Sequence, residues 1–286
     1  MKISFIIPNY NNSFTISKTI QSIIDSKIKN SEILVIDDAS SDNSVKVIKK
    51  IKQVKLYEFK TNSGAAKARN KGIELAKGNI LIFIDSDAWF EKNAIKELLN
   101  SISDADMRYP KTIFENNHIF HPLGEFEEKY PQISVCFAIK KKSLGNLRFD
   151  ENFETYLEDM DFFMRCSLAN LTVKYCKNSI VTHVTKSNID WSNRYYLEVR
   201  NITYGIRKWF NKKKTIKVYN PFTLLSLTKV LFYGIINFAW FNWSGYDRQK
   251  KKLIKGHKNR ICKFPIKLPF LFVKGVINGL KKFYSH

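Results

Sequence analysis

Short apolar runs alternate with amphipathic segments along the first hundred residues. The runs predict buried strands at Ile3–Ile7, Glu32–Ile36, Val54–Phe59 and Ile80–Ile84. Between and after them, apolar residues recur every three or four positions, which predicts helices over 13–26, 44–52, 65–77 and 91–102, with Gly78 as the left-handed cap of the third. Such alternation predicts right-handed crossovers and a largely parallel sheet.

Polar residues follow each of these strands directly. They are Asn9 and Tyr10, Asp37 and Asp38, Asn62 and Gly64, and Asp85 and Asp87. The carboxyl ends of parallel strands meet at one edge of a sheet, where α/β proteins bind their ligands. We therefore expect the aspartates to converge there.

The segment Asp85-Ser86-Asp87 carries the most specific chemistry. Two carboxylates one residue apart repel each other unless a cation lies between them, and Mg²⁺ or Mn²⁺ suits oxygen ligands and accompanies phosphates. Nearby, the Tyr10 ring can stack on a base, and the Asp38 carboxylate can accept a hydrogen bond from a nucleobase. The alternative is a loop with two solvated aspartates.

The pattern continues less regularly beyond residue 103. Strands are predicted at 107–114, 117–123, 134–140, 171–175 and 179–184, with helices beginning near Leu157 and spanning 191–209. In the first of these helices, Asp161 and Arg165 have the spacing of an ion pair. His118 and His121 are predicted to be surface or structural residues.

The last 80 residues are far more basic than the rest of the chain. The chain has a formal net charge of +22, yet 1–206 carry 29 basic against 25 acidic residues, whereas 207–286 carry 19 basic residues and one acid, Asp247. A basic tail favours an anionic surface. Because long apolar runs interrupt the charges, lipid is favoured over nucleic acid, and no nucleic-acid partner is predicted.

Within this tail, Phe222–Trp243 has a single charged residue, Lys229, and is long enough to span a bilayer. A polar residue at every third or fourth position favours instead a helix that lies in the cytoplasmic leaflet. Packing against the rest of the chain is the third alternative. Four cysteines without metal-ligand spacing and no visible signal peptide predict a cytoplasmic, peripheral membrane protein.

Four motifs resemble those of family 2 glycosyltransferases, in that family's order and spacing. They are Ser4-Phe5-Ile6-Ile7-Pro8-Asn9-Tyr10-Asn11, Ile36-Asp37-Asp38, Asn62-Ser63-Gly64 through Arg69-Asn70, and Asp85-Ser86-Asp87. The resemblance covers about the first two hundred residues. It implies a GT-A fold, a Rossmann-like and mostly parallel mixed sheet flanked by helices, and a nucleotide-sugar donor.

The resemblance also implies roles for individual residues on the donor side. Pro8 and Tyr10 would line the base pocket, Asp38 would contact the base, and Asp37 would be structural. Residues Gly64, Lys67, Asp85 and Ser86 complete the implied nucleotide site; Gly64 is alternatively a turn glycine, and Lys67 a solvated helix residue. The resemblance implies that Asp85, Asp87 and His183 bind the metal. The alternative for His183 is an ordinary histidine at the edge of a strand.

On the acceptor side, the resemblance implies that Asp159 is the general base of an inverting transfer. Glu158 and Arg200 would lie near the acceptor. As a simpler alternative, the acids at the start of the helix near Leu157 only stabilise its dipole.

These observations predict a GT-A domain over 1–206, with a nucleotide-binding half (1–103) and an acceptor half (104–206), and an amphipathic helical tail over 207–286. The predicted activity is an inverting, Mn²⁺- or Mg²⁺-dependent sugar transfer. Its donor would be a nucleotide sugar, by default UDP-linked with dTDP and GDP open, and its acceptor a lipid-linked glycan at the cytoplasmic membrane face. The alternatives are a sugar-phosphate nucleotidyltransferase and a basic binding protein without catalysis.

Overall fold

The computed structural model describes residues 1–115, 119–120 and 135–184, and scattered helical positions between 196 and 208 and between 274 and 281. The chain divides into two compact units, Met1–Ile189 and Asp190–His286. The domain boundary expected after residue 206 stays a prediction.

The strands of the described residues form one nine-stranded sheet. They are β1 (Ile3–Asn9), β2 (Ser31–Asp37), β3 (Val54–Glu58), β4 (Ile80–Ile84), β5 (Ala88–Phe90), β6 (Met107–Phe114), β7 (Ile119–Phe120), β8 (Cys136–Lys140) and β9 (Val173–His183). Their order is β3-β2-β1-β4-β8-β6-β9-β5, with β7 beside β6. The four strands at the β3 end run parallel, as the apolar runs predict. With β8, which is antiparallel to β4, the mixed half of the sheet begins.

Helices cover both faces of the sheet. They are α1 (Ile16–Asp25), α2 (Ser44–Lys49), α3 (Ala65–Leu75), α4 (Ala94–Ser101), α5 (Lys141–Leu144) and α6 (Glu158–Leu168). Because strand side chains alternate, Ile82 of β4 packs in the core with α1, α2 and α4, whereas Phe83 packs in the core with α3 and α6. The predicted α/β architecture is confirmed.

Gly78 does not have the predicted left-handed conformation. The helix α3 ends at Leu75, and Gly64 and Gly145 are the glycines with positive φ in the described part of the chain. Gly78 instead allows a close approach, because a Cβ there would lie 2.5 Å from the Ser4 nitrogen. Its own N–H donates to Ser4 Oγ at 2.8 Å.

Two other boundaries differ from the sequence pattern. The helix expected from Glu91 begins at Ala94, because Ala88–Phe90 pairs with β9 as a strand. The two strands expected over 171–184 form the single strand β9, whose register against β6 shifts between Pro110 and Lys111. This shift lets β9 continue past residues 177–179. The sequence pattern alone indicates a turn there and therefore predicts two separate strands.

In the second unit, the described residues are helical and several are buried. The side chains of Arg200 and Asn201 are 6% and 0% exposed, and Arg200 Nε donates to Asn201 Oδ1 at 3.0 Å. Asn278 Nδ2 donates to the Tyr196 hydroxyl at 2.6 Å. The segment Phe222–Trp243, and the histidines His118 and His121, lie outside the described residues. Where helices are described, none combines the length and the apolar character that crossing a bilayer requires.

Candidate active site

The loop after β1 is fixed by its asparagines. Asn11 Oδ1 accepts hydrogen bonds from the backbone N–H groups of Ser41 and Asp42, at 2.8 and 3.3 Å. Asn12 Nδ2 donates to Ser86 Oγ at 2.6 Å. The loops after β1, β2 and β4 are therefore joined at one edge of the sheet, where the sequence predicts a ligand site.

Ser86, between the two aspartates, is held by two threonines, one directly before α1 and one in its first turn. Its carbonyl oxygen accepts hydrogen bonds from Thr15 Oγ1 at 2.9 Å and from Thr19 Oγ1 at 3.0 Å. The Ser86 side chain is 3% exposed and engaged with Asn12, although the resemblance implies that it belongs to the nucleotide site. Sequence reasoning missed both threonines, because α1 lies 67 residues or more from Ser86 in the chain.

The aspartates Asp85 and Asp87 meet a histidine from the distant strand β9. Ala88 pairs with His183 across the β5–β9 ladder, and His183 Nε2 lies 3.3 Å from Asp87 Oδ1. One ligand atom from each of Asp85, Asp87 and His183 falls within 4.8 Å of the others. Two carboxylates and one imidazole suit a small divalent ion, and Mn²⁺ accepts this mixture of oxygen and nitrogen ligands.

The electrostatics of Asp85 agree with such an ion. Burial and the neighbouring Asp87 carboxylate raise the pKa of Asp85, although Arg69 and His183 oppose the change. Its side chain remains 26% exposed. A divalent cation would favour the charged form of this carboxyl and so reverse the shift.

The pair Asp37-Asp38 divides into two different environments. The Asp37 carboxylate accepts from Asn9 Nδ2 at 2.7 Å and from Ser40 N at 2.9 Å, and its side chain is 1% exposed. Asp38 accepts from the backbone N–H groups of Ser63 and Gly64 at 2.7 and 2.8 Å. Burial raises the pKa of Asp38, and these two backbone hydrogen bonds oppose the change.

Gly64 joins the Asp38 region to the segment that precedes α6. It has φ +90°, and a Cβ at this position would lie 2.6 Å from the carbonyl oxygen of Glu154. Ala66 N donates to that same oxygen at 3.1 Å. Glu154, Tyr156 and Leu157 all have positive φ, an uncommon conformation for residues with a side chain.

The buried Arg69 side chain forms two ion pairs that join the end of β4 to α6. Its Nη2 donates to Asp85 Oδ1 at 2.9 Å, and its Nη1 donates to Glu158 Oε1 at 2.7 Å. Burial, followed by repulsion from Asp159, raises the pKa of Glu158 to about 7. Arg69 Nε and Glu158 Oε2 are buried without a hydrogen-bond partner in the described part.

The predicted base Asp159 follows Glu158 in the first turn of α6. Its Oδ1 accepts from Met160 N at 2.8 Å, and its side chain is half-buried. The predicted pair between Asp161 and Arg165 is confirmed, at 2.8 Å with Asp161 fully buried. This pair accounts for Asp161 as a structural acid of the helix.

An aromatic cluster fixes α6 against the sheet. Phe149 stacks on Phe162 with a centroid distance of 4.1 Å, and Phe83 stacks on Phe137 at 4.5 Å. Phe163 contacts Phe137 edge-on at 5.2 Å. The start of α6 is thus held by both packing and the Arg69 ion pairs.

The remaining predicted residues occupy different positions. Pro8 is half-buried at the end of β1, and the Tyr10 side chain beside it is 47% exposed, so that one ring is accessible at this edge. Lys67 is exposed, with its Nζ 5.8 Å from the centroid of the Phe59 ring. Arg200 belongs to the second unit.

Comparison with known proteins gives the family. The model described as glycosyl transferase family 2 matches residues 4–153, or 150 of the 286 residues. The chain belongs to this family. It is a glycosyltransferase, as the four motifs predict, and the alternatives of a nucleotidyltransferase and a non-catalytic binding protein are set aside.

Two bacterial relatives are similar in sequence. The chain is 26% identical over 266 residues to the poly(ribitol-phosphate) beta-N-acetylglucosaminyltransferase TarP of Staphylococcus aureus, covering 82% of this chain and 80% of TarP. It is 37% identical over 140 residues to the UDP-Glc:alpha-D-GlcNAc-diphosphoundecaprenol beta-1,3-glucosyltransferase WfaP of Escherichia coli, covering 48% of this chain and 55% of WfaP.

A solved structure of S. aureus TarS in complex with UDP-GlcNAc has a similar fold. The TM-score is 0.58 at 22% identity, over 71% of this chain and 66% of that chain. At this identity the likeness concerns the fold, and it confirms the predicted GT-A architecture.

Proposed function

We propose that this glycosyltransferase moves one sugar from a UDP-sugar to a lipid-linked bacterial surface glycan, with inversion and with a divalent ion. The observation that carries the proposal is the joining of Asp85, Asp87 and His183 with Asp159 through Arg69 and Glu158. A donor-activating group and a candidate base are thus connected within one edge of the sheet.

On the donor side, the nucleotide would lie over the loops after β1 and β2. The exposed Tyr10 ring would stack on the base, Pro8 would line its pocket, and Asp38 would accept from it. The N–H groups of Ser63 and Gly64 hold the Asp38 carboxylate in place. A carboxylate acceptor suits the N–H of uracil, and the solved TarS complex holds UDP-GlcNAc. Lys67 would contribute positive charge at the rim of this site.

Asp85, Asp87 and His183 would hold Mn²⁺ or Mg²⁺. Bound there, the ion would neutralise the charge of the departing diphosphate. The Ser86 backbone, held by Thr15 and Thr19, fixes the separation of the two aspartates.

On the acceptor side, Asp159 would accept the proton of the acceptor hydroxyl while that oxygen attacks the anomeric carbon. The bond from this carbon to the diphosphate breaks as the new bond forms on the opposite face, and the diphosphate leaves with the electron pair. Positioning and charge stabilisation account for most of the acceleration in reactions of this kind. The acceptor-side roles expected for Glu158 and for Arg200 stay predictions.

The acceptor class is supported by the relatives and by charge. WfaP acts on a diphosphoundecaprenol-linked sugar, and TarP on poly(ribitol phosphate), according to their names. The 19 basic residues of 207–286 favour an anionic membrane surface. We propose a peripheral location on the cytoplasmic face of the membrane.

A donor and acceptor panel tests this function. The full chain is incubated with Mn²⁺ and UDP-, dTDP- or GDP-sugars, each with GlcNAc-diphosphoundecaprenol or poly(ribitol phosphate), and release of the nucleoside diphosphate is measured. We expect turnover with a UDP-sugar that requires the lipid-linked acceptor. Turnover confined to dTDP- or GDP-sugars would overturn the donor, and equal turnover without lipid-linked acceptor would overturn the acceptor class.

Membrane association is tested separately by co-sedimentation with vesicles. Binding to vesicles with an anionic lipid should exceed binding to zwitterionic vesicles and should fall as salt is raised, because screening weakens attraction between surface charges. Equal binding to both kinds of vesicle would contradict the proposed role of the basic tail.

A further inference from the structure

Arg69 connects two segments that the proposed reaction must bring together. We propose that Arg69 is a positioning residue that couples the donor side of the site, through Asp85, to the helix that carries Asp159. The inference rests on the proposed function, because it gives Asp85 and Asp159 the roles argued above.

The two ion pairs of Arg69 span distant parts of the chain. Asp85 at the end of β4 lies 16 residues from Arg69 in sequence, and Glu158 at the start of α6 lies 89 residues away. Both acids are held by one guanidinium, through its two terminal nitrogens. A displacement of either acid must therefore strain the contact with the other.

Burial distinguishes Arg69 from Asp85, one of the two acids that it holds. Its side chain is 4% exposed, whereas the Asp85 side chain is 26% exposed. Arg69 is covered behind the acids, so it acts through them. In this arrangement Arg69 positions Asp85 and Glu158.

Packing and hydrogen bonds surround Arg69 on both sides. Its guanidinium lies 5.4 Å from the centre of the Phe149 ring, which stacks on Phe162 of α6. At the other end, α3 begins at Ala65, and the next residue, Ala66, donates from its backbone nitrogen to the Glu154 carbonyl, just before α6. The guanidinium fork is planar and donates to two acids at once, whereas a lysine ammonium is a point charge on a flexible chain. Lysine can keep the charge of Arg69 but not its geometry.

The contacts of Arg69 with Asp85 and Glu158 indicate how the coupling would affect the reaction. Asp85 shares its carboxylate between Arg69 and the proposed ion, so the placement of the donor complex is transmitted to Glu158. Asp159 is the next residue, and its base function depends on its distance from the acceptor oxygen. A displacement of about 1 Å in a catalytic group can lower turnover about 100-fold.

Turnover of Arg69→Lys tests the coupling, with Arg165→Lys as the matched control. Arg165 pairs with buried Asp161 within α6, so its substitution perturbs a buried ion pair of the same helix without bridging to β4. For Arg69→Lys we expect kcat to fall about 100-fold, with KM for the donor changed less than about threefold. Arg165→Lys should keep kcat close to wild type. A near-normal kcat in Arg69→Lys, or an equal loss in both variants, would overturn the proposal.

Hydrogen exchange gives a readout that does not need turnover. UDP with Mn²⁺ is added to the wild type, and exchange is followed in peptides covering 154–168. The coupling predicts slower exchange there on binding, and loss of that response in Arg69→Lys while UDP still binds. No response in the wild type, or an unchanged response in Arg69→Lys, would overturn the inference even if a variant proved too unstable for kinetics.

The two proposals fail in different ways. A wild type without transfer from any nucleotide sugar would refute the proposed function. A wild type that transfers sugar, with an Arg69→Lys variant that transfers equally well, would refute the coupling alone.

Discussion

The backbone of Gly64 lies directly against the backbone of Glu154. A Cβ at position 64 would approach the Glu154 oxygen to 2.6 Å and its Cα to 2.8 Å, while the Gly64 N–H donates to Asp38. One glycine thus contacts both the residue proposed to bind the base and the segment leading to Asp159. Glu154, Tyr156 and Leu157 all have positive φ, a conformation that costs energy for residues with a side chain and persists where the surrounding structure determines it.

Gly64→Ala should therefore abolish transfer. The alanine methyl group must displace the Glu154 backbone, and φ +90° is strained for any residue with a side chain. Gly145→Ala is the matched control, because it also has positive φ but a Cβ there meets nothing within 4 Å. Both variants should lose about 1–3 kcal/mol of stability from the strained backbone, and only Gly64→Ala, whose methyl group also meets the Glu154 backbone, should lose activity. Normal kcat in Gly64→Ala would contradict the tight-contact argument.

Asp87→Ala should remove the Mn²⁺ dependence of UDP binding. Asp87 supplies one of three ligand atoms that lie within 4.8 Å of one another, and loss of one carboxylate weakens a site of this size strongly. Calorimetric titration with UDP, with and without Mn²⁺, measures the effect, and Asp25→Ala on α1 is the control. The same Mn²⁺ enhancement in Asp87→Ala as in the wild type would refute the metal assignment.

Thr19→Val tests the support beneath the aspartates. The substitution keeps the shape of the side chain but removes the hydroxyl that donates to the Ser86 carbonyl at 3.0 Å. We expect a loss of about 1 kcal/mol of stability and a several-fold weaker affinity for Mn²⁺ with UDP. Ser26→Ala, which removes a hydroxyl bond to Ile23 O at the other end of α1, should leave that affinity unchanged. Equal metal affinities in the wild type and Thr19→Val would show that the threonine is not part of the support.

Glu32 should make stability depend on pH at the opposite edge of the sheet. Burial alone would raise its pKa, but hydrogen bonds from Lys55, Ser4 and Lys77 N lower the pKa of Glu32 from 4.5 to about 2. A lowered pKa means that the stabilisation is present above pH 4.5 and is lost as the pH falls toward 2. Its size is on the order of 3 kcal/mol.

Urea unfolding at a series of pH values checks this contribution. Between about pH 6 and the lowest pH at which the protein stays folded, wild type should lose more stability than Glu32→Gln, which cannot titrate there. Parallel pH profiles for the two proteins would contradict the assignment. Transfer kinetics at neutral pH should be nearly unaffected, because this network lies away from the candidate site.

The parallel half of the fold was predictable because its strands are short apolar runs. The strand Ile80–Ile84 is followed directly by Asp85 in both the sequence pattern and the structure. A strand that is buried on both faces appears in the sequence as a continuous apolar run. The edge at which the aspartates converge followed from the parallel order alone. The mixed half was harder: β9 continues through polar residues, and its pairing with β6 is set by tertiary contacts that a local pattern does not record.

For the candidate site, sequence motifs indicated the groups that would touch ligand but not the groups that hold them. In the sequence Arg69 stands out only as a member of the third motif, whereas the structure buries it between Asp85 and Glu158. For Thr15 and Thr19 the sequence gives no sign of the contact with Ser86, because a threonine at or near a helix start is common and the partner lies far away in the chain. Gly78 was misassigned because a close approach to Ser4 and a left-handed cap both require glycine.

Asp159→Asn asks whether a donor site and a base act together at this edge of the sheet. UDP binding with Mn²⁺ and sugar transfer should be measured side by side in wild type and Asp159→Asn. We expect UDP affinity close to wild type together with loss of nearly all transfer, because the amide keeps the shape of the side chain but cannot accept the acceptor proton. Transfer at the wild-type rate in Asp159→Asn would contradict this expectation.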